Sequence, residues 1–374
     1  MRRGLFGVGR RADEDATSIG GPSVKHWQIA AGADSRVYTS DFLRYGLAFV
    51  GGTKNIARLQ RVRKGDRLIL KRGKREIVAV GVAVERDGIV TGVAGQGGVG
   101  REWLHDYDGW DLPGFCCVEW HRPDVPRVVS GLGRRAVERL DRPDIHTIAN
   151  DILQSTVPLA VEPEPVPTEP LGVEEMLYHL IRLGLRSSVA TELTGTLERV
   201  KLLARYYYSN CRWEDVREHE ARTFLIVPFL LALGWSEQQI KIELAVQKAR
   251  KNRTRGGRID IACFRRPYRV EKRQPNNGDC VLILESKGFS QGLDYAHGQG
   301  KEYAAMFPSC RVVVASNGYC YKAYRRKPDS TDFEDLPAAY LNLLRPTKRY
   351  PLAPDRVAGG LELLSFLLPQ AGMW

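Results

Sequence analysis

The first third of the chain alternates short apolar runs with glycine, aspartate and charged turns, a pattern that predicts β-strands. Residues 67–71 and 77–84 read as two strands joined by a turn at Arg72-Gly73-Lys74, and residues 116–120 as another. Thr39, Ser40 and Asp41, ahead of Phe42, Leu43 and Tyr45, predict a short capped helix ending at Gly46. A small mixed β-barrel over residues 23–160 is the natural package, closed by a helical stretch over 134–153 with a break at Pro143. In residues 161–171, Pro163, Pro165, Pro167 and Pro170 alternate with acidic and other residues, which predicts a stiff, extended linker that lets the two halves sit apart. The spacing of Met176, Leu177, Leu180, Ile181 and Leu183 then predicts a helical connector over 172–217. From Glu218 to residue 345 the order is helix, strand, strand, helix, strand, strand, and a tail (346–374) carries a last helix over 360–368. The expected fold class is α/β of the α+β kind, a β-barrel followed by a mixed sheet flanked by helices.

Composition narrows the function. No window approaches the run of about 20 apolar residues that spans a membrane, and residues 1–22 read as a mobile arm rather than a secretory signal. The expectation is a cytoplasmic protein without a membrane partner. The seven cysteines contain no CxxC pair, so neither a zinc knuckle nor a disulfide framework is expected. A formal net charge of +12 favours a polyanionic partner. The run at 248–258, with Arg255 and Arg258, concentrates that charge immediately before Asp260 and is a candidate nucleic-acid contact.

The chemistry sits in two predicted strands. In residues 280–288, period two puts Ile283, Glu285 and Lys287 on one face. A carboxylate and an amine leaving a buried strand together need partners or a metal. Upstream, Asp260 points away from Ile259 and Ile261. Neighbouring strands can bring Asp260 and Glu285 to one divalent ion, which takes carboxylate oxygens and activates water at a phosphate. Lys287 would neutralise developing charge or orient the attacking water. The helix over 218–235 has an acidic start and stops at Gly234; farther on, Gln299 and Tyr303 share a helix face.

This ordered set resembles the PD-(D/E)XK nuclease domain found in type I restriction R subunits. An acidic residue before an I-x-P-x-L-x-x-L-G-W helix is followed by a G-R-x-D strand, an E-x-K strand, a Q-x-x-x-Y helix and a strand–turn–strand close, all between Glu218 and Tyr324. The resemblance implies phosphodiester hydrolysis with Mg²⁺, which Mn²⁺ can replace. It implies Asp260, Glu285 and Glu218 as metal ligands, with Glu220 the second choice for the last, and a positioning role for Gln299. No GxxxxGK[ST] loop is present, so no nucleotide cofactor is expected in this chain, which leaves room for a separately encoded ATPase.

The first domain is the candidate reader. Trp103, Tyr107 and Trp110 lie in a polar, irregular stretch, and aromatic rings stack on bases. The Lys64-Gly65-Asp66 turn, the following strands and an early segment containing Trp27 are similar to PUA-like barrels of the EVE and YTH type, which implies binding of modified bases. The expected function is a modification-dependent restriction endonuclease acting on modified double-stranded DNA, with a homodimer as the way to cut both strands. An RNA-directed or repair nuclease and a non-cleaving nucleic-acid-binding module are the alternatives.

Overall fold

The computed structural model describes residues 24–32, 36–210, 215–250, 253–271, 274–275 and 277–369; the arm expected over 1–22 lies outside them. The protein is mixed α/β with two mixed sheets. Among the described residues no helix is long and apolar enough to cross a membrane.

The first sheet is built from β1 (His26–Ala30), β2 (Leu47–Val50), β3 (Arg67–Arg72), β4 (Glu76–Ala83), β5 (Thr91–Val93), β6 (Gly114–His121), β7 (Arg127–Val128) and β8 (Val137–Leu140). The order β2-β6-β4-β3-β1-β8, with β5 on β6 and β7 on β4, curls into a half-barrel. Helices α1 (Thr39–Tyr45), α2 (Thr53–Leu59) and α3 (Pro143–Ser155) accompany it. Trp27, Phe42, Phe49, Phe115 and Trp120 fill its core. Gly81 lies opposite Trp120, where a Cβ would stand 2.6 Å from the indole, so only glycine lets β4 and β6 close. The Gly65-Asp66 turn has a structural task. Asp66 is buried and accepts from the Lys25 and Arg63 amides and the Trp27 indole at 3.0–3.1 Å, tying β1 to the start of β3.

Two local expectations change. Residues 134–142 are not helical: Val137–Leu140 pairs antiparallel with β1, and the helix starts at Pro143, whose missing N–H costs nothing in a first turn. Helix α1 ends at Gly46 (φ 58°) as expected, but no side chain caps its start.

The second sheet contains β9 (Ile240–Arg250), β10 (Arg253–Phe264), β13 (Cys280–Ser286), β14 (Val312–Ser316), β15 (Cys320–Arg325) and β16 (Ala339–Asn342) in the order β16-β15-β14-β13-β10-β9. A small ribbon, β11 (Val270–Glu271) with β12 (Gln274–Pro275), lies between β10 and β13 in the chain. Only β13 and β14 pair in parallel. Helices α4 (Val173–Arg182), α5 (Ser187–Asn210), α7 (Val227–Ala232) and α9 (Gly360–Leu367) share one core cluster with the sheet, α8 (Ala296–Ala304) contributes to that cluster and to a second, and the short α6 (Glu218–Ala221) leads into α7. The connector and the tail therefore belong to this unit: Met176, Leu193, Leu363 and Leu367 are in its core, and the Trp235 indole donates to the Leu367 carbonyl at 2.7 Å. The described residues of the basic run, 248–250 and 253–258, lie in β9 and β10, and β16 had no counterpart in the sequence reading.

The proline-rich segment runs extended but is pinned at both ends. Glu164 pairs with Arg101 at 2.8 Å, the Glu162 amide reaches the Arg44 carbonyl, and the Leu171 amide reaches the Pro346 carbonyl. The two halves do not stand apart. The loop after the 3₁₀ turn Glu102–Asp106 enters the second unit. Buried Asp106 accepts from Tyr340 (2.8 Å) and Asn342 (2.9 Å), and Tyr319 donates to the Gly109 carbonyl (3.0 Å). Asp108 accepts from Lys322 at 2.7 Å and from the Tyr350 hydroxyl. Burial opposes the charge on Lys322, but Asp108 and Asp294 outweigh it and raise its pKa above the usual lysine value. Removing one partner of such a pair leaves a buried charge alone. Lys322→Met is expected to lower the unfolding free energy by about 3–5 kcal/mol; a loss below about 1 kcal/mol in urea unfolding would show that the pair does not hold the halves together.

Candidate active site

The helix that opens the second unit explains where the site begins. Pro228 has no N–H to give and crowds the carbonyl one turn back, so an uninterrupted α-helix cannot run through it. The chain answers with a π turn, Arg222–Ile226, in which the Val227 amide reaches back to the Arg222 carbonyl. Gly234 (φ 99°) ends the segment as expected. Arg222 is thereby turned inward, 6% exposed, on a helix whose first turn carries Glu218.

Strands β10 and β13 supply the rest. Ile261 pairs with Leu284, so Asp260 and Glu285 stand one step farther along the same two strands. Asp260 Oδ2 accepts from the Ser286 amide (2.8 Å) and hydroxyl (3.0 Å), and Oδ1 accepts from Arg222 (2.9 Å). Glu218 Oε1 accepts from the same guanidinium at 2.8 Å and from Ser286 Oγ at 3.3 Å. Glu243, in β9, accepts from Arg222 at 3.2 Å and from Arg258 at 3.1 Å. Its φ of 52° is left-handed, a costly conformation for a residue other than glycine, and it lies where β9 passes Asp260.

Glu285 is different. It is 0% exposed, no donor group bonds either carboxylate oxygen, and the Asp260 carboxylate lies close enough to share a proton with it. Helix α8 seals it: at Gly300 a Cβ would stand 3.0 Å from Glu285 Cγ and 2.6 Å from Val313, so glycine is required for the helix to lie this close. Burial, then the nearby charges of Asp260 and Glu218, push its pKa up to about 8 against the pull of Lys287. Lys287 is half-buried just past the end of β13, its amide held by the Ser316 carbonyl.

The structure thus brings Asp260, Glu285, Lys287 and Glu218 to one corner. Glu220 instead accepts from the Arg217 amide at 2.9 Å and closes the helix start. Gln299 is exposed and donates to the Tyr303 hydroxyl at 3.2 Å. Among the described residues, no three Asp, Glu, His or Cys side chains already stand as a ready cluster for a metal. The sequence reading missed Arg222, Ser286 and Glu243. The four-residue step from Glu218 to Arg222, which pairs opposite charges on a helix, was the available signal for the first.

The candidate nucleic-acid residues divide. Trp27 and Trp103 are buried, the latter packed edge-on against Tyr45 and Phe49, and Tyr107 is buried and donates to Asp41. Trp110 is half-buried, with the Arg36 guanidinium 4.1 Å over its ring. It helps line a cavity of about 560 Å³ with Tyr38, Gly51, Asn55, Asp111 and Tyr208. Arg258 is exposed; Arg255 pairs with Lys248 in the hairpin register, and its side chain lies outside the described part. No protein-family model, curated protein or solved structure matches the chain.

A pH dependence follows from Glu285. Its folded pKa lies above the ordinary 4.5, so the metal-free folded protein binds more protons than the unfolded chain between about pH 4.5 and 8. Stability is therefore lost as pH rises through that window, by at most about 1.4 kcal/mol per pH unit, and levels off above it. Urea unfolding in EDTA from pH 5 to 9 is expected to show this slope in the wild type and not in Glu285→Gln. Equal slopes would remove Glu285 as its source.

Proposed function

We propose that the chain is a modification-dependent restriction endonuclease that hydrolyses phosphodiester bonds in DNA carrying modified bases. The observation that carries this reading is the sealed Glu285 carboxylate, which has no donor group on either oxygen and lies against the carboxylate of Asp260 and near that of Glu218. Buried carboxylates set against one another need a shared proton or a cation between them, and an all-oxygen set suits Mg²⁺ or Mn²⁺ in the second role. Glu285 and Asp260 would hold the ion, with Glu218 beside them. When bound, the ion supplies water activation and charge neutralisation at the phosphate.

The remaining chemistry belongs to the chain. Lys287 brings a positive charge to the same corner and opposes the negative charge that grows on the phosphate oxygens. Ser286 fixes Asp260 through two hydrogen bonds, so one carboxylate oxygen is oriented before any substrate arrives. The strand that carries Asp260 also carries Arg253, Arg255 and Arg258, and its register pairs Arg253 with Arg250 and Arg255 with Lys248, a basic ribbon that favours a phosphate backbone. The cavity lined by Trp110, Tyr38, Asn55 and Asp111 of the half-barrel, with Tyr208 and Ser290 of the second unit, has the volume and the mixture of rings and polar groups that an extruded base needs. A duplex cut on both strands would use two chains, since each carries one such corner.

The test is cleavage of phage DNAs bearing different base modifications, beside plain DNA and RNA, in Mg²⁺ or EDTA. Cutting of modified DNA alone is expected, abolished by EDTA and reduced at least about a hundredfold by Asp260→Ala or Lys287→Ala. Trp110→Ala is expected to erode the preference for modified DNA. Cutting of RNA but not DNA would move the substrate assignment, and cutting that persists in EDTA would contradict the reading.

A further inference from the structure

Arg222 bonds two of the carboxylates that the nuclease reading assigns to the metal. Its guanidinium is almost wholly buried and makes four bonds: to Glu218 Oε1 (2.8 Å), Asp260 Oδ1 (2.9 Å), Ser286 Oγ (3.1 Å) and Glu243 Oε1 (3.2 Å). It joins the same carboxylates that the nuclease reading assigns to the ion, and only Glu285 is left without a donor. With one oxygen of Asp260 on Ser286 and the other on Arg222, the cluster is already partly neutralised.

Two geometric facts make this arrangement specific. The π turn begins at Arg222, and a widened turn changes the direction in which the helix presents its side chains. Opposite it, Glu243 adopts a left-handed backbone and binds two arginines, Arg222 and Arg258. The chain thus uses an interrupted helix and a costly strand conformation to hold one guanidinium among three carboxylates.

Resting on the nuclease reading, we infer that Arg222 is a built-in counter-cation that competes with the divalent ion for Asp260 and Glu218 and keeps the metal affinity of the DNA-free protein low. The ion and the guanidinium carry charge of one sign to the same oxygens, so occupancy by one disfavours the other. A guanidinium released from Asp260 is also a forked donor suited to a phosphate, which links loading of the ion to arrival of the nucleic acid. A site that loads poorly without DNA protects the cell's own nucleic acid from a charged, idle nuclease. Arg222 is in this sense a positioning residue whose effect is read in metal binding.

The experiment is calorimetric titration of the full chain with Mn²⁺, without DNA, for the wild type, Arg222→Gln, Arg222→Lys and Asp260→Asn, with circular dichroism and thermal unfolding of each as the folding control. An opposite charge at contact distance shifts the binding of a proton to a carboxylate by about one to three orders of magnitude. Arg222→Gln is accordingly expected to bind Mn²⁺ at least about tenfold more tightly than the wild type. Arg222→Lys, which keeps the charge, is expected to stay near the wild-type affinity, and Asp260→Asn to lose binding. A merely structural arginine would give the opposite order, with weaker binding in both Arg222 variants. Unchanged or weaker binding in a folded Arg222→Gln, with Asp260→Asn still defective, overturns the competition and leaves the nuclease reading intact. Absence of Mn²⁺ binding in the wild type and in Arg222→Gln overturns both.

Discussion

Glu285 is buried to zero exposure with no donor group on either oxygen and the Asp260 carboxylate against it, and the architecture around it follows from that demand. Putting an isolated ionised carboxylate in an apolar interior is so costly that the group takes up a proton, acquires a cation, or does not form. The rise of its pKa to about 8 is the first of these responses. The second is prepared by its neighbours: Asp260 one step away across the strand pair, Lys287 two residues on, and α8 laid against the strand through the missing side chain of Gly300. A substitution at Gly300 is therefore a substitution at the site, although the residue has no chemistry of its own.

The same logic of buried charge joins the two halves. Asp106 and Asp108 project from the half-barrel into the second unit, where they meet Tyr340, Asn342, Lys322 and Tyr350. Arg36 bonds the carbonyl of Ser290 (2.5 Å), three residues past Lys287, while stacking on Trp110 at the cavity wall. Cavity and corner are thus connected through a few buried polar contacts, with the proline-rich segment as a brace alongside.

Periodicity made much of this legible. The strand of Glu285, the helix stopped by Gly234, the closing helix near 360–367 and the convergence of Asp260, Glu285 and Lys287 all follow from local pattern and strand geometry. What escaped has physical reasons. Residues 137–140 read as helix because their pairing with β1 is a contact more than 100 residues away, which no local window contains. Trp103 and Tyr107 looked exposed because they sit among polar residues, but those residues, Asp106 and Asp108, are themselves buried against the second unit. Arg222 was hidden in an apolar helix, and its importance rests on a π turn that Pro228 imposes.

The most direct test of the central claim is a crystal structure of the full chain soaked in Mn²⁺ at a concentration high enough to compete with Arg222, with anomalous scattering to locate the ion. The account predicts one strong peak touching the carboxylates of Glu285 and Asp260, with the guanidinium of Arg222 drawn away from Asp260. Full-occupancy Mn²⁺ found only elsewhere, with Asp260 still held by Arg222 and Glu285 still without a metal, would contradict a metal-dependent nuclease at this corner.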